Sequence, residues 1–121
     1  MSEHQERVLY VVRTWVPEQM LEEWNRWHSE VHVPEVASQP GVISARKFRV
    51  VDDSTPADWP AQYITIYEFE SWQAWQEYNQ SREAARLRQD YAQRYGEKGR
   101  IARQVLVETL WLSGGAAVGQ P

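Results

Sequence analysis

The fold prediction for this chain depends on residues 7–32, RVLYVVRTWVPEQMLEEWNRWHSEVH, where a strand pattern changes to a helix pattern. Residues 7–15 are rich in β-branched and aromatic side chains, which favour a strand. Pro17 suits the first turn of a helix, and Glu18 is favourable there because its negative charge lies near the positive end of the helix dipole. The apolar positions that follow recur at steps of four, three and four residues, namely Met20, Trp24, Trp27 and Val31. This spacing predicts a helix, which should stop or kink at Pro34 because proline disfavours the helical conformation of the residue before it.

The rest of the chain adds three predicted strands and two predicted helices. Residues 42–51 and 62–69 are strand-like, and the polar, proline-containing loop between them is short enough for an antiparallel hairpin. Ser71 can cap a short helix, a longer helix is predicted over residues 82–95, and residues 103–112 are the last predicted strand. The resulting order, β-α-β-β-α-β, is ferredoxin-like. It predicts an α+β domain with one four-stranded antiparallel sheet and helices on one face.

Length and composition fit one domain of ordinary globular type. The chain has 121 residues, so we expect one domain over residues 1–112 and a flexible tail over residues 113–121. The chain has no cysteine, which excludes disulfides, thiolate ligands and a cysteine nucleophile and makes the cytoplasm the default compartment. A net charge of −4 argues against nucleic-acid binding. No apolar run approaches the roughly 18 residues that a membrane helix needs.

Large apolar side chains are predicted on both faces of the sheet. In the first strand the two sets are Val8, Tyr10 and Val12 on one face, and Leu9, Val11 and Trp15 on the other. An antiparallel sheet with one solvated face should instead be polar on that face. The helices can cover only one side, and an uncovered apolar face of this size is unusual in a monomer. We therefore predict a homodimer that forms through the sheet face, the alternative being that one face is merely rich in Tyr and Trp.

Two histidines lie at the end of the first predicted helix, within residues 24–35, WNRWHSEVHVPE. His28 and His32 are four residues apart, so they project from neighbouring turns beside the apolar stripe. Histidine in such a position can transfer protons near neutral pH. The run HSEVH differs from the HExxH zinc pattern, and a metal would need a third ligand, for which Glu35 is nearest. We predict no metal site, and the alternative role for both histidines is that of hydrogen-bonded boundary residues.

Several short runs resemble the dimeric α+β barrel superfamily, specifically its EthD-like branch. They are E-V-H-V-P-E, P-G-V and A-R-K-F, and the matching positions are Glu30, His32, Pro34, Pro40, Gly41, Arg46 and Phe48. The resemblance implies two ferredoxin-like units packed sheet on sheet, each with a pocket between its sheet and its helices. Activities in the superfamily include cofactor-free monooxygenases, polyketide cyclases, lactone isomerases, hydroxynitrile lyases and haem-degrading enzymes. The resemblance therefore identifies no substrate.

The predicted pocket has aromatic walls and two polar positions. The substrate-binding candidates are Trp15, Trp24, Phe48, Tyr67 and Trp72, with Arg46 and Glu35 as polar contacts. Flat apolar walls favour an aromatic or polyketide-like ligand. We predict a cofactor-independent lyase, isomerase or cyclase in which His32 transfers the proton and His28 assists it or replaces it. The alternatives are a non-catalytic binder of the same ligand class and a cofactor-free or haem-dependent monooxygenase.

A basic stretch completes the sequence features. Residues 82–103 hold seven Lys or Arg against three Asp or Glu, a local net charge of +4. This pattern predicts a solvated helix face, with the steering of an anionic substrate as the alternative.

Overall fold

The computed structural model describes residues 7–55 and 58–115. Its strands are β1 (Val8–Trp15), β2 (Val42–Arg49), β3 (Tyr63–Phe69) and β4 (Arg100–Val107). Its α-helices are α1 (Glu18–Trp27), α2 (Val33–Ala37), α3 (Trp72–Asn79) and α4 (Arg82–Tyr91). Two π-helical turns, His28–His32 and Ala92–Gly96, follow α1 and α4. Residues 116–121 of the predicted tail lie outside the described ranges.

The four strands form one sheet in the order β2-β3-β1-β4, and every neighbouring pair is antiparallel. This is the strand order of a ferredoxin-like fold, so the predicted fold class is confirmed. β1 is an interior strand, since its Val12 pairs with Thr65 of β3 on one side and with Arg103 of β4 on the other. β2 and β4 are the two edge strands.

The prediction for the last strand was wrong at both ends. β4 begins at Arg100 and pairs with β1 from Trp15↔Arg100 to Val8↔Val107. The apolar run Leu110–Leu112 lies beyond the strand and is 70–75% exposed. These residues have the composition of a strand, but β1 begins at Val8, so they extend past the end of the ladder that β1 provides.

The first helical region extends further than the sequence predicted. The chain stays helical through the π turn and α2, to Ala37. Pro34 lies in the first turn of α2, where a backbone N–H is not required. The hydrogen-bond ladder changes register at the π turn, and this change lets the helical path continue past the proline.

The core lies between the sheet and the helices. Val8, Tyr10 and Val12 of β1 pack with Tyr67 and Phe69 of β3. Residues from the helices complete this layer, namely Val36, Tyr78, Ala84 and Leu87. A second buried cluster consists of Val16, Trp24, Tyr91 and Tyr95. The two clusters meet along α4, and the site described below lies where they adjoin.

Gly41 lies in the predicted Pro-Gly turn and is required there for two reasons. Its φ angle is +90°, in the region that favours glycine. A Cβ on Gly41 would also lie 2.9 Å from the Cβ of Ala74 in α3. The turn therefore depends on a residue without a side chain.

The sheet face opposite the helices mixes large apolar side chains with charged ones, among them Arg13, Arg46 and Glu68. By strand alternation it carries Leu9, Val11, Phe48, Ile64, Ile66 and Leu106. Phe48 and Leu106 are 41% and 42% exposed. Near one end of this face Arg13 contacts the ring of Trp59 at 5.6 Å and a carboxylate oxygen of Asp53 at 3.8 Å. A homodimer through this face remains a prediction.

Within residues 7–55 and 58–115, no helix is both long enough and apolar enough to cross a membrane.

Candidate active site

The two histidines lie at the two ends of the π turn that follows α1. In this turn the N–H of Val33 donates to the carbonyl of His28, a step of five residues. A π turn rotates the backbone by a smaller angle per residue than an α-helix does. Side chains four residues apart therefore lie more nearly in line along the helix axis. Single π turns occur frequently at functional sites. The sequence spacing of His28 and His32 thereby becomes a direct ring contact.

The histidine rings belong to an aromatic stack. The ring of Trp24 lies 4.2 Å from that of His28, with 15° between their planes. His28 stacks on His32 at 5.6 Å, and His32 stacks on Trp27 at 5.1 Å. The indole N–H of Trp24 donates to the hydroxyl oxygen of Tyr91 at 3.0 Å, which ties the stack to α4. The positions of both imidazoles are therefore determined by packing.

Both imidazoles line a small polar cavity between the sheet and the helices. Its volume is about 30 Å³, room for about one water molecule. The other lining residues are Tyr10, Val12, Val36, Tyr67, Tyr78, Arg88, Tyr91, Ile101 and Arg103. In the described part of the chain, no residue hydrogen-bonds to the Nδ1 atom of His28 or of His32, although both atoms are buried. Buried polar atoms are normally paired, so these two nitrogens are available to water or to a ligand.

Burial keeps both histidines neutral near pH 7. It lowers the pKa of His28 to about 2, with smaller contributions from the positive charge of Lys47 and from His32. Burial also lowers the pKa of His32, to about 4, although the charge of Asp90 opposes the shift. The imidazolium of His32 is therefore easier to form than that of His28.

Lys47 of β2 contacts the aromatic stack at the ring of Trp24. Its Nζ lies 4.6 Å from the ring centre of Trp24 and 4.8 Å from that of Tyr63. The same atom donates to Asn25 Oδ1 at 2.8 Å and to Ser29 Oγ at 2.9 Å. Burial lowers the pKa of Lys47 to about 8. The cation is attracted to the electron-rich face of the Trp24 ring. Its positive charge also disfavours protonation of the neighbouring imidazole of His28.

The tyrosines of the cavity are hydrogen-bond donors at neutral pH. Burial raises the pKa of Tyr78 and that of Tyr91 to about 12. It also raises the pKa of Tyr67 well above its ordinary value. All three hydroxyls therefore keep their protons near pH 7 and can donate to an oxygen that acquires negative charge.

A larger hollow adjoins the cavity at the β4 edge of the sheet. Its volume is about 340 Å³, and its lining residues are Tyr10, Trp75, Asn79, Arg88, Arg103, Gln104 and Val105. Tyr10, Arg88 and Arg103 line both spaces, so they form the boundary between them. A space that is large enough for a small molecule therefore lies directly beside the histidine cavity.

The structure brings four of the predicted site residues together. His28, His32 and Tyr67 line the cavity, and Trp24 lies behind His28. The remaining five candidates lie elsewhere.

Trp15, Arg46 and Phe48 alternate onto the sheet face away from the helices, where Arg46 lies 5.4 Å from the ring centre of Phe48. Trp72 is 46% exposed on α3 and stacks on Trp75. Glu35 forms an ion pair with Arg86 at 3.4 Å. None of these five side chains lines the cavity.

Sequence reasoning missed eight of the residues that line the cavity, and five of them have polar side chains, namely Tyr10, Tyr78, Arg88, Tyr91 and Arg103. The pairing of Tyr10 with Tyr67 places both on the same face of the sheet, and this relation depends on the register of β1 and β3. Arg88 and Arg103 belong to the basic stretch that was predicted to be a solvated helix face. Their convergence depends on the pairing of β4 with β1 and on the position of α4.

Among the residues that the structure describes, no three His, Cys, Asp or Glu side chains come close enough to hold a metal ion.

The strand order is that of a ferredoxin-like fold, and several solved structures superpose on the chain. An EthD family protein from Bacillus halodurans superposes with a TM-score of 0.66 at 11% identity, over 84% of this chain and 99% of its own. A ferredoxin-like DABB family protein from Mesorhizobium loti gives 0.59 at 18% identity, over 83% and 96%. SnoaB from Streptomyces nogalater, a cofactor-independent oxygenase, gives 0.57 at 16% identity, over 89% and 98%. At these identities the likeness concerns the fold alone.

Residues 7–109 match the family model DUF4286, described as a domain of unknown function. The chain belongs to this family. No curated protein matches the sequence significantly.

Proposed function

We propose that the chain is a cofactor-independent enzyme of the lyase, isomerase or cyclase kind. It moves a proton on a hydrophobic molecule, aromatic or polyketide-like, that binds between the sheet and the helices. The observation that carries the proposal is the stacked pair His28 and His32. Both rings are neutral near pH 7, both have buried and unpaired Nδ1 atoms, and both line a cavity that has tyrosines in its wall.

His32 is the proton acceptor in this proposal. Its pKa of about 4 lies above that of His28, and the negative charge of Asp90 favours its protonated form. Desolvation makes His32 a weak base in the free protein. Transfer of a proton from a bound C–H or O–H acid leaves a substrate anion beside the imidazolium, and their attraction offsets part of the desolvation cost.

The tyrosine hydroxyls complete the proposed chemistry. Loss of a proton beside a carbonyl, or from a phenol, places negative charge on an oxygen atom. Donors that already point into a site of low dielectric constant stabilise such charge strongly. Tyr67, Tyr78 and Tyr91 remain protonated near neutral pH and are suited to this role. His28 then acts as a neutral neighbour that holds the ring of His32 in place.

A cofactor-free monooxygenase is the second candidate. Deprotonation of an electron-rich phenol by His32 would be its first step. The fold neighbour SnoaB is a cofactor-independent oxygenase, which favours this alternative over the haem-dependent one. A product that contains oxygen from O₂ would distinguish it from an isomerase, cyclase or lyase.

The proposal is tested by proton exchange, which requires no knowledge of the final product. Ketones that carry an aromatic ring, such as 2-tetralone, with and without a carboxylate substituent, are incubated in D₂O, and exchange of the α-C–H is followed by NMR. We expect the wild-type protein to accelerate exchange and His32→Ala to reduce the acceleration by about 10²-fold or more. Arg86→Gln, which changes an exposed ion pair on α4 outside the cavity, should keep the wild-type rate.

Two outcomes would contradict this function. One is a folded His32→Ala variant, checked by circular dichroism, that exchanges protons at the wild-type rate. The other is a wild-type protein that binds the ketones and returns them without accelerated exchange. The second result would favour the non-catalytic binder.

A further inference from the structure

We infer that the molecule bound at this site carries a carboxylate group, held between Arg88 and Arg103 at the boundary of the cavity and the hollow. The inference deepens the proposed function and rests on it, because the cavity is the same one. It assigns a role to two residues that the proton-transfer step does not use.

The sizes of the two spaces indicate where a ligand would lie. The cavity next to the histidines has room for about one water molecule, whereas the hollow at the β4 edge has a volume of about 340 Å³. Binding sites for small molecules begin at about 300 Å³. The body of a bound molecule therefore fits in the hollow, and its reacting atom points past Arg88 and Arg103 toward His32.

The boundary carries two guanidinium groups. Among the residues that the structure describes, no Asp or Glu lines either space. In the part of the chain that the structure describes, Arg103 has no ion pair, and Arg88 bonds only to the neutral side chain and backbone carbonyl of Asn79. By contrast, Arg86 pairs with Glu83 and Glu35, and Arg94 pairs with Asp90. Guanidinium groups without an acidic partner are suited to a carboxylate, whose planar oxygens match their donor geometry.

A third donor lines the hollow. The indole N–H of Trp75 is buried, and no described residue accepts its hydrogen bond. The ring of Trp75 stacks on Trp72 at 5.3 Å and lies 6.2 Å from the ring of Tyr10. The hollow thus combines a flat aromatic wall, an unpaired N–H and two guanidinium groups. This combination matches an aromatic ring that bears a carboxylate.

The carboxylate would also assist the chemistry. Arg103 lies close enough to the histidines that its charge lowers the pKa of His32, while Asp90 raises it and His28 is neutral. A bound anion that neutralises Arg103 would remove part of this lowering. His32 would then be a stronger base when the correct ligand is present than when the site is empty.

Binding of a matched pair of probes tests the inference. Titration calorimetry with 2-naphthoate and with neutral 2-naphthamide, which share the ring system, isolates the contribution of the negative charge. We expect the wild-type protein to bind 2-naphthoate about tenfold more tightly or better, with a preference that falls as salt is added. Arg103→Gln should lose most of this preference, and it should fold because no described residue hydrogen-bonds to the Arg103 side chain or forms an ion pair with it. Arg88→Gln should also lose it, with circular dichroism as the fold check.

Two variants serve as controls, since each removes the same charge from the same element without lining either space. Arg100→Gln lies on β4 and Arg86→Gln lies on α4, and both should keep the preference. Equal affinity for the two probes, no binding of 2-naphthoate at millimolar concentration, or an unchanged preference in Arg103→Gln would overturn the inference. His32→Ala should keep the preference for 2-naphthoate while it loses proton exchange. A failure of the carboxylate site would therefore appear in binding, and a failure of the proposed catalysis would appear in proton exchange.

Discussion

The imidazole rings of His28 and His32 lie 5.6 Å apart with 24° between their planes. The π turn between them brings side chains four residues apart into line, and Trp24 and Trp27 each stack on one of the two rings. A pair of neutral histidines is therefore held in one arrangement before any ligand binds. Such pre-organisation is what proton transfer requires of its acceptor.

The first prediction concerns stability against pH. The folded-state pKa values of His28 and His32, about 2 and about 4, lie below the ordinary 6.5. The unfolded chain therefore takes up protons first as the pH falls. Stability from the neutral histidines is present above pH 6.5 and is lost as the pH falls toward those values. At pH 5 the loss should be about 2 kcal/mol for each histidine.

Urea denaturation at pH 7.5 and pH 5 measures this loss. His28→Gln, which cannot take up a proton, should show a smaller fall in the free energy of unfolding between the two pH values than the wild-type protein. An equal fall in both proteins would argue against a buried neutral His28.

The second prediction concerns the ionisation of Lys47. Burial lowers its pKa to about 8, so a large fraction of its amine is uncharged at mildly alkaline pH. Carbamylation by cyanate requires the uncharged amine. Its rate at Lys47, measured by peptide mapping from pH 6.5 to pH 10, should reach half its maximum near pH 8. Lys98 is the only other lysine and is exposed, so it controls for the reagent. A rate midpoint near the ordinary pKa of lysine would contradict the burial of Lys47 beside the rings of Trp24 and Tyr63.

The third prediction concerns the Pro-Gly turn. Gly41→Ala forces a side chain into a positive φ and against Ala74, so it should lower the free energy of unfolding by about 1–3 kcal/mol. Gly114→Ala is the matched control, because a Cβ there would meet nothing within 4 Å. Its unfolding midpoint should stay at the wild-type value. Similar midpoints for both variants would show that the turn tolerates a side chain.

The fourth prediction concerns assembly. The sheet face away from the helices carries large apolar side chains, among them Leu9, Ile66 and Leu106, and we propose that a second copy of the chain covers it. Light scattering at micromolar concentration should report twice the chain mass of 14.2 kDa. Ile66→Lys, which places a charge in the middle of this face, should shift the particle to a single chain.

A control separates this effect from a general effect of added charge. Val51 is 78% exposed outside the strands, and Val51→Lys should leave the dimer intact. A single-chain mass for the wild-type protein would remove the dimer from the proposal.

The sequence by itself determined the order of the elements and one part of the site. Periodicity and turn residues are local properties, so the strand at residues 7–15, the helix that follows it and the turn at Gly41 could be predicted. The spacing of His28 and His32 could also be recognised, because side chains four residues apart on a helix are neighbours whatever the rest of the fold does.

Only the tertiary structure decided the extent of β4 and the composition of the cavity. The apolar residues Leu110–Leu112 were predicted as strand, but a strand ends where its partner ends, and β1 begins at Val8. The side of the sheet on which Phe48 and Trp15 lie depends on strand register. The meeting of Arg88 with Arg103 depends on how α4 packs beside an edge strand. Such contacts join residues that are distant in sequence, and no local pattern encodes them because their free energy arises only when the sheet and the helices have packed together.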